Sequence, residues 1–143
     1  MHELINNESM AVFIGRCFLG LLFFLQGADA VFGIGVRNVV QAIEGPLVSK
    51  RIPRALIILG AYYTSYIELV GGALLIAGLF KSYALYLLGL DLLLASLAFS
   101  LIKPMWDMQF VFPRLILLLF LLLAPPAWDL LSLDHLLSTL KNN

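Results

Sequence analysis

Four long apolar segments dominate the sequence, and they constrain its fold more than any other feature. They cover residues 11–33, 55–80, 82–102 and 108–125. A transmembrane helix needs about 20 mostly apolar residues, and each segment reaches or approaches that length. We expect each segment to cross the membrane as a helix, because a helix pairs all of its backbone N–H and C=O groups within its own segment and leaves none exposed to lipid. The sequence therefore predicts an all-α integral membrane four-helix bundle, a single transmembrane domain over residues 1–143.

The composition supports a membrane location. Hydrophobic residues make up 62% of the chain and charged residues 13%, compared with about 45–50% and about 25% in soluble domains. The mean hydropathy is +0.98. Nine basic residues balance nine acidic residues, so the basic footprint of a nucleic-acid-binding protein is absent. The expected partner is the lipid bilayer, and no nucleic acid is expected.

The connection between the first two apolar segments carries an amphipathic pattern. Apolar side chains recur there at the i, i+3, i+4 and i+7 positions, namely Val36, Val39, Val40 and Ile43. This spacing forms one face of a helix, and Gly45-Pro46 is expected to end it. We predict a short helix over residues 36–44 that lies at the membrane interface. An ordinary ordered loop is the alternative.

The first apolar segment is expected to remain in the mature protein. The tripeptide at residues 28–30, Ala-Asp-Ala, resembles the small-x-small pattern of a signal-peptide cleavage site. Asp29 within this tripeptide and Arg16 within the apolar run argue against cleavage.

The distribution of Lys and Arg predicts the orientation of the chain. The side with the long connection carries Arg37, Lys50, Arg51, Arg54 and Lys103, whereas the opposite side carries Lys81 and Lys141. This bias favours a multi-pass protein with both termini outside, and a bacterial inner membrane is the expected location.

Ionisable residues interrupt the apolar segments at five positions: Arg16, Asp29, Glu68, Asp91 and Arg114. A charge at the bilayer centre costs at least about 2.5–3.5 kcal/mol on insertion scales. These residues should therefore face the interior of the bundle and find polar partners there, which makes them a predicted intramembrane polar site.

The positions of these residues along their segments predict two layers. Arg16 forms one layer with Glu68 and Asp91, and Asp29 forms the other with Arg114. Glu68 is expected at the centre of the first layer, with Arg16 as its cation and Asp91 competing for the same charge. Two interpretations stay open, because paired charges either hold the helices in register or form a ligand or proton site.

Small residues share helix faces with the charges. Gly20 and Gly27 lie on the face of Arg16, and Gly71 and Gly72 lie on the face of Glu68. Small residues let helices approach closely in lipid. We therefore predict helix packing at these four glycines.

Histidine and cysteine are too sparse for a metal centre inside the bundle. His2 and His135 both lie outside the predicted spans, which excludes a bis-histidine haem there. Cys17 is the only cysteine, so neither a CxxC redox pair nor a cluster of His and Cys ligands is expected. We expect no metal, and any redox chemistry needs a partner or a bound quinone to carry the electrons.

Three motifs together resemble the DoxX-like family of small four-helix membrane proteins. They are GRCFLGLLFFLQG at 15–27, IELVGGALLIAGLFKSYA at 67–84 and LSLD at 131–134. The family pattern has an Arg and a Gly early in helix one, then a Glu before a Gly-Gly pair, then a Gly-Leu-Phe turn. The matching positions are Arg16, Gly20, Gly27, Glu68, Gly71, Gly72, Gly78, Leu79 and Phe80, which adds Gly78 to the predicted packing glycines.

The resemblance implies a role in a quinone-linked assembly, because some relatives belong to oxidoreductases of that kind. On this basis the chain is expected to be an accessory subunit with protein partners rather than a catalyst by itself. Quinone is the one cofactor that the resemblance suggests. The alternatives are a small-solute or proton transporter and a purely structural membrane assembly factor.

Overall fold

The computed structural model describes residues 6–102 and 107–141. Within them the chain forms six α-helices and no β-strand. The helices are α1 (Asn7–Ala28), α2 (Val36–Ser49), α3 (Arg54–Ala77), α4 (Lys81–Ile102), α5 (Val111–Leu123) and α6 (Leu133–Lys141). The all-α prediction is confirmed for this part of the chain.

Three of these helices are long and apolar enough to cross a membrane. They are α1 with the π-helical turn that extends it to Gly33, α3 and α4, with lengths of 27, 24 and 22 residues. The helix in the fourth apolar segment, α5, has 13 residues, because the residues before it, Asp107–Phe110, form a 3-10 helix.

The second helix, α2, is longer than the sequence predicts. It continues through Pro46 to Ser49, so the prediction that Gly45-Pro46 ends this helix was wrong. Proline in a helix interior removes one backbone hydrogen bond. Leu47 lies beyond the proline and is buried together with Val36 and Val40. Packing of this apolar face therefore outweighs the tendency of Gly45-Pro46 to end the helix.

The most extensive contact between helices in the described residues joins α1 to α3, and glycine residues lie within it. A Cβ atom added to Gly72 would lie 2.8 Å from the carbonyl oxygen of Gly20 and from Cα of Phe24. A Cβ atom added to Gly27 would lie 2.7 Å from Cα of Leu69. Side-chain carbons do not approach backbone atoms this closely, so these positions bring the two backbones into direct contact.

Gly71 faces a different neighbour. A Cβ atom added there would lie 3.0 Å from Cγ of Leu88 on α4. Gly78 ends α3 with a φ of +70°, a left-handed conformation that glycine adopts without steric cost. At Gly78 an added Cβ atom would meet the Arg16 guanidinium and would lie 2.7 Å from Cβ of Ser132, so three segments converge at this turn.

An apolar core fills the space between α1, α3, α4 and α5. Its largest fully buried apolar side chains are Val12, Leu19, Phe23, Leu75, Leu85, Leu88, Leu118 and Leu121. Large apolar side chains also cover the outer surface, where Leu93 is 66% exposed and Leu123 is 83% exposed. Such a surface suits contact with lipid chains rather than with water.

Candidate functional site

A cavity of about 1040 Å³ lies among α1, α2, α3, α4 and α5. Its walls are mainly apolar and include Val39 and Ile43 of α2 together with Leu94 of α4. Polar side chains from four helices gather in one part of the cavity, and we call Gln26, Glu68, Asp91 and Arg114 the polar cluster. A large, mostly apolar cavity with a few convergent polar groups is the usual form of a small-molecule site.

Hydrogen bonds link three members of the polar cluster across three helices. Arg114 on α5 donates from Nη1 to Oε1 of Gln26 on α1. Gln26 in turn donates from Nε2 to Oε1 of Glu68 on α3, at 2.9 Å. The Arg114 guanidinium also lies 5.5 Å from the ring centroid of Phe23, a cation–π contact that helps to hold it in place.

The two carboxyl groups of the polar cluster are buried side by side. Glu68 is 6% exposed and Asp91 is 1% exposed, and both residues line the cavity. Arg114 is the one Lys or Arg among the described residues that line the cavity. One positive charge cannot balance two buried carboxylates, so a proton or an added hydrogen-bond donor is needed to complete the cluster.

The structure places Arg16 elsewhere, so the prediction that it is the cation of Glu68 was wrong. Its guanidinium donates 2.7 Å hydrogen bonds to the carbonyl oxygens of Leu75 and Leu131, and a 3.1 Å bond to that of Ile76. Its Nε lies 3.5 Å from Oδ1 of Asp129. Arg16 therefore ties the end of α3 to the segment that follows α5.

The register of α1 against α3 explains this separation. Gly27 is the residue of α1 that packs against Glu68, and it lies about 16 Å along the helix from Arg16 at about 1.5 Å per residue. Side chains on a helix also lean toward its N-terminus. Because α1 and α3 are antiparallel, Arg16 and Glu68 lean away from each other.

Asp129 carries a second ion pair at this end of the molecule. Its Oδ2 lies 3.1 Å from Nζ of Lys81, the first residue of α4. We call Arg16, Lys81 and Asp129 the turn cluster. The backbone N–H of Lys81 also donates to Oδ2 of Asp134 at 3.2 Å, so α6 joins the same end of the molecule.

The predicted pair of Asp29 and Arg114 is not formed directly. Both residues line the cavity, but the hydrogen bond of Arg114 goes to Gln26, and no ion pair joins Asp29 to Arg114 in the part of the chain that the structure describes. Arg114 instead joins the layer of Glu68 and Asp91. The structure thus brings together Glu68, Asp91 and Arg114, and separates Arg16 from them.

Sequence reasoning missed Gln26 and Asp129. A signal for Gln26 exists in hindsight, since it is an uncharged polar residue inside an apolar run, next to Gly27. Asp129 follows Trp128 outside the predicted spans, where an acidic residue has no unusual pattern. Within the described residues no three His, Cys, Asp or Glu side chains gather closely enough to hold a metal ion.

Comparison with known proteins identifies the family. A family model described as DoxX matches residues 11–101, a range that contains Arg16, Glu68 and Asp91 but not Arg114 or Asp129. No curated protein and no solved structure gives a significant match. The match covers more than half of the chain, and it coincides with the three long apolar helices. The chain therefore belongs to the DoxX family and is a membrane protein.

Proposed function

We propose that this DoxX-family protein is an accessory subunit of a larger, quinone-linked oxidoreductase complex in a bacterial inner membrane. The observation that carries the proposal is the apolar cavity with the polar cluster inside it. A lipid-soluble cofactor with a polar head needs a site of this kind, because its head has to find hydrogen bonds within the bilayer.

The residues present fit a quinone. Its carbonyl oxygens accept hydrogen bonds, and Arg114 is a donor with several N–H groups in a fixed plane. The tail matches the apolar walls formed by Val39, Ile43 and Leu94. A bound quinone would supply electron and proton acceptance, whereas this chain would orient the head through Arg114 and hold a proton at Glu68 or Asp91.

An accessory role agrees with the content of the sequence. Neither histidine lies in an apolar segment, and Cys17 has no second cysteine with which to form a redox pair. We therefore propose that a partner chain delivers the electrons. The exposed apolar surface of α4, which includes Tyr83, Tyr86 and Leu93, is available to lipid or to such a partner.

We further propose that α5 is a fourth span. Its 13 residues rise about 20 Å at about 1.5 Å each, and the 3-10 helix before it adds about 2 Å per residue. Together they approach the roughly 30 Å of a hydrocarbon core. Four spans put both termini on one side, and the Lys and Arg bias favours the outside.

We propose that α2 lies at the interface. Its buried residues Val36, Val40 and Leu47 face the protein, whereas Arg37 and Gln41 are exposed. Glu44 is anchored to Arg54 by a 2.6 Å ion pair. An amphipathic helix of this kind suits the boundary between lipid and water.

Purification of the protein from its native membrane tests the subunit role. The proposal expects redox-enzyme chains to co-purify with it, together with quinone. Purification of the protein as a lone species without quinone, after mild solubilisation and mass spectrometry, contradicts it.

Two substitutions at Glu68 then test the site itself. Glu68→Gln retains size and hydrogen bonding while removing ionisation, so the complex should assemble but lose quinone-dependent turnover. Glu68→Leu removes both properties and should reduce assembly. Glu8→Gln is the matched control, because Glu8 is exposed at the start of α1. Normal turnover in Glu68→Gln refutes a functional charge at this position.

A proton or small-solute pathway is the second candidate, and the buried carboxyl pair is the observation that favours it. Its weakness is the close contact of Gly20 and Gly72, which lies between the polar cluster and the turn cluster. Proton or solute flux into proteoliposomes that contain this chain alone would favour this candidate over the subunit role. A purely structural assembly factor predicts partners without any effect of Glu68→Gln.

A further inference from the structure

We propose that the cavity selects a membrane amphiphile whose headgroup donates a hydrogen bond, such as a hydroxyl, to the carboxyl group of Asp91. The inference rests on the proposed ligand function and specifies the chemistry of the headgroup. A hydroxyl-bearing head is thereby preferred over the same head without a donor.

The first observation is an unpartnered acceptor inside the cavity. Asp91 is 1% exposed and lines the cavity, yet its Oδ1 has no hydrogen-bond partner among the described residues. Buried polar atoms almost always have a partner in folded proteins. A hydrogen-bond donor on a molecule that occupies the cavity would supply this partner.

The second observation is that the neighbouring hydroxyl groups are already engaged. Three hydroxyl side chains line the cavity on α3, and each donates to a backbone carbonyl: Tyr63 to Leu87 at 2.9 Å, Thr64 to Ala61 at 3.2 Å and Ser65 to Ala61 at 2.7 Å. None of these hydroxyl groups donates a hydrogen bond to Asp91. These three hydroxyl groups therefore share the cavity with Asp91 but donate their protons to backbone carbonyls.

The side chain of Gln26 does not donate a hydrogen bond to Asp91 either. The amide of Gln26 accepts from Arg114 and donates to Glu68. A proton shared by Glu68 and Asp91 would supply one hydrogen bond, but a carboxyl group offers about four acceptor positions on two oxygens. The pair therefore retains room for a donor from outside the protein.

The shape of the cavity supports an amphiphile rather than a small polar solute. On α4 the cavity extends from Asp91 to Leu101, which is about 15 Å along the helix. Most of this length is lined by apolar residues such as Leu94, Leu97 and Ala98. A headgroup at Asp91 would place its chain along this apolar wall.

A pair of probes that differ by one O-methyl group, which replaces the hydroxyl proton and so removes the donor, tests the inference. The full chain in lipid nanodiscs is labelled with an alkylphenol that carries a diazirine in its chain, and the label is displaced by 4-dodecylphenol or by 4-dodecylanisole. Loss of one hydrogen bond to a buried carboxyl group is expected to weaken displacement about tenfold or more for the anisole. Equal displacement by the two compounds, or displacement by neither, overturns the inference.

A variant pair assigns the preference to Asp91. Asp91→Asn should reduce the preference for the phenol to below about threefold, because the neutral amide is a weaker acceptor. Asp134→Asn is the matched control outside the cavity and should retain the full preference. A full preference in folded Asp91→Asn overturns the assignment, and if this variant does not fold, the two probes on the unmodified chain still decide the donor preference.

Decylubiquinone separates this inference from the proposed function. If it displaces the label while the phenol and the anisole compete equally, the quinone site stands and the donor preference fails. If the phenol is preferred but decylubiquinone does not displace the label, the quinone assignment fails and the donor preference stands.

Discussion

Replacing Gly72 with alanine should separate α1 from α3. The added Cβ atom would lie 2.8 Å from the carbonyl oxygen of Gly20 and 2.8 Å from Cα of Phe24. Both are backbone atoms, so rotation of a side chain cannot relieve the contact and the helices must move apart. Alanine favours a helix by about 0.8–1.0 kcal/mol over glycine, whereas overpacking of a close contact costs about 1–3 kcal/mol or more.

The same substitution at Gly60 is the control, because a Cβ atom added there meets nothing within 4 Å. Gly60 also lies on α3, so both substitutions gain the same helix preference of alanine over glycine. The difference in stability between the two variants therefore measures the cost of the backbone contact at Gly72. Gly72→Ala should be about 1–3 kcal/mol less stable than Gly60→Ala in reversible unfolding in mixed micelles. Equal stability of the two variants would refute the direct backbone contact between α1 and α3.

Three further outcomes are expected. Asp129→Ala should destabilise the protein by about 3–5 kcal/mol, because it leaves Arg16 and Lys81 without their counter-ion; thermal unfolding that matches the unmodified chain would contradict the turn cluster. Arg16→Lys should be almost as damaging in the same assay, since an ammonium cannot reproduce the planar set of donors to three carbonyl groups. Backbone amides of α2 should exchange slowly in nanodiscs, and rapid exchange throughout Val36–Ser49 would refute an ordered interfacial helix.

The long apolar helices α3 and α4 could be predicted because they depend mainly on their own local sequence. The bounds of α3 and α4 agree to within a few residues with the apolar segments at 55–80 and 82–102. This agreement is expected, since hydropathy and the left-handed Gly78 are local features. The extension of α2 could not be predicted, because burial of Leu47 against other helices decides it.

The partners of the charged residues required information that the sequence does not carry. Matching residues by depth assumes that helices begin at equal heights, but contact of Gly27 with Glu68 shifts α1 along α3. That shift moves Arg16 to the turn cluster and leaves Arg114 as the cation of the polar cluster. Burial of Glu68 was predictable from the cost of a charge in lipid, whereas its link through Gln26 to Arg114 was not.

Photolabelling tests most directly the proposal that the cavity receives a quinone head at the polar cluster. An azidoquinone should label peptides of α3 and α4 that line the cavity, and excess decylubiquinone should remove this labelling. Leu94→Trp should abolish the labelling because Leu94 lines the cavity, whereas Leu93→Trp should not, because Leu93 is on the outer surface at 66% exposure. Labelling spread over the outer surface, or equal labelling of the two tryptophan variants, would contradict the claim.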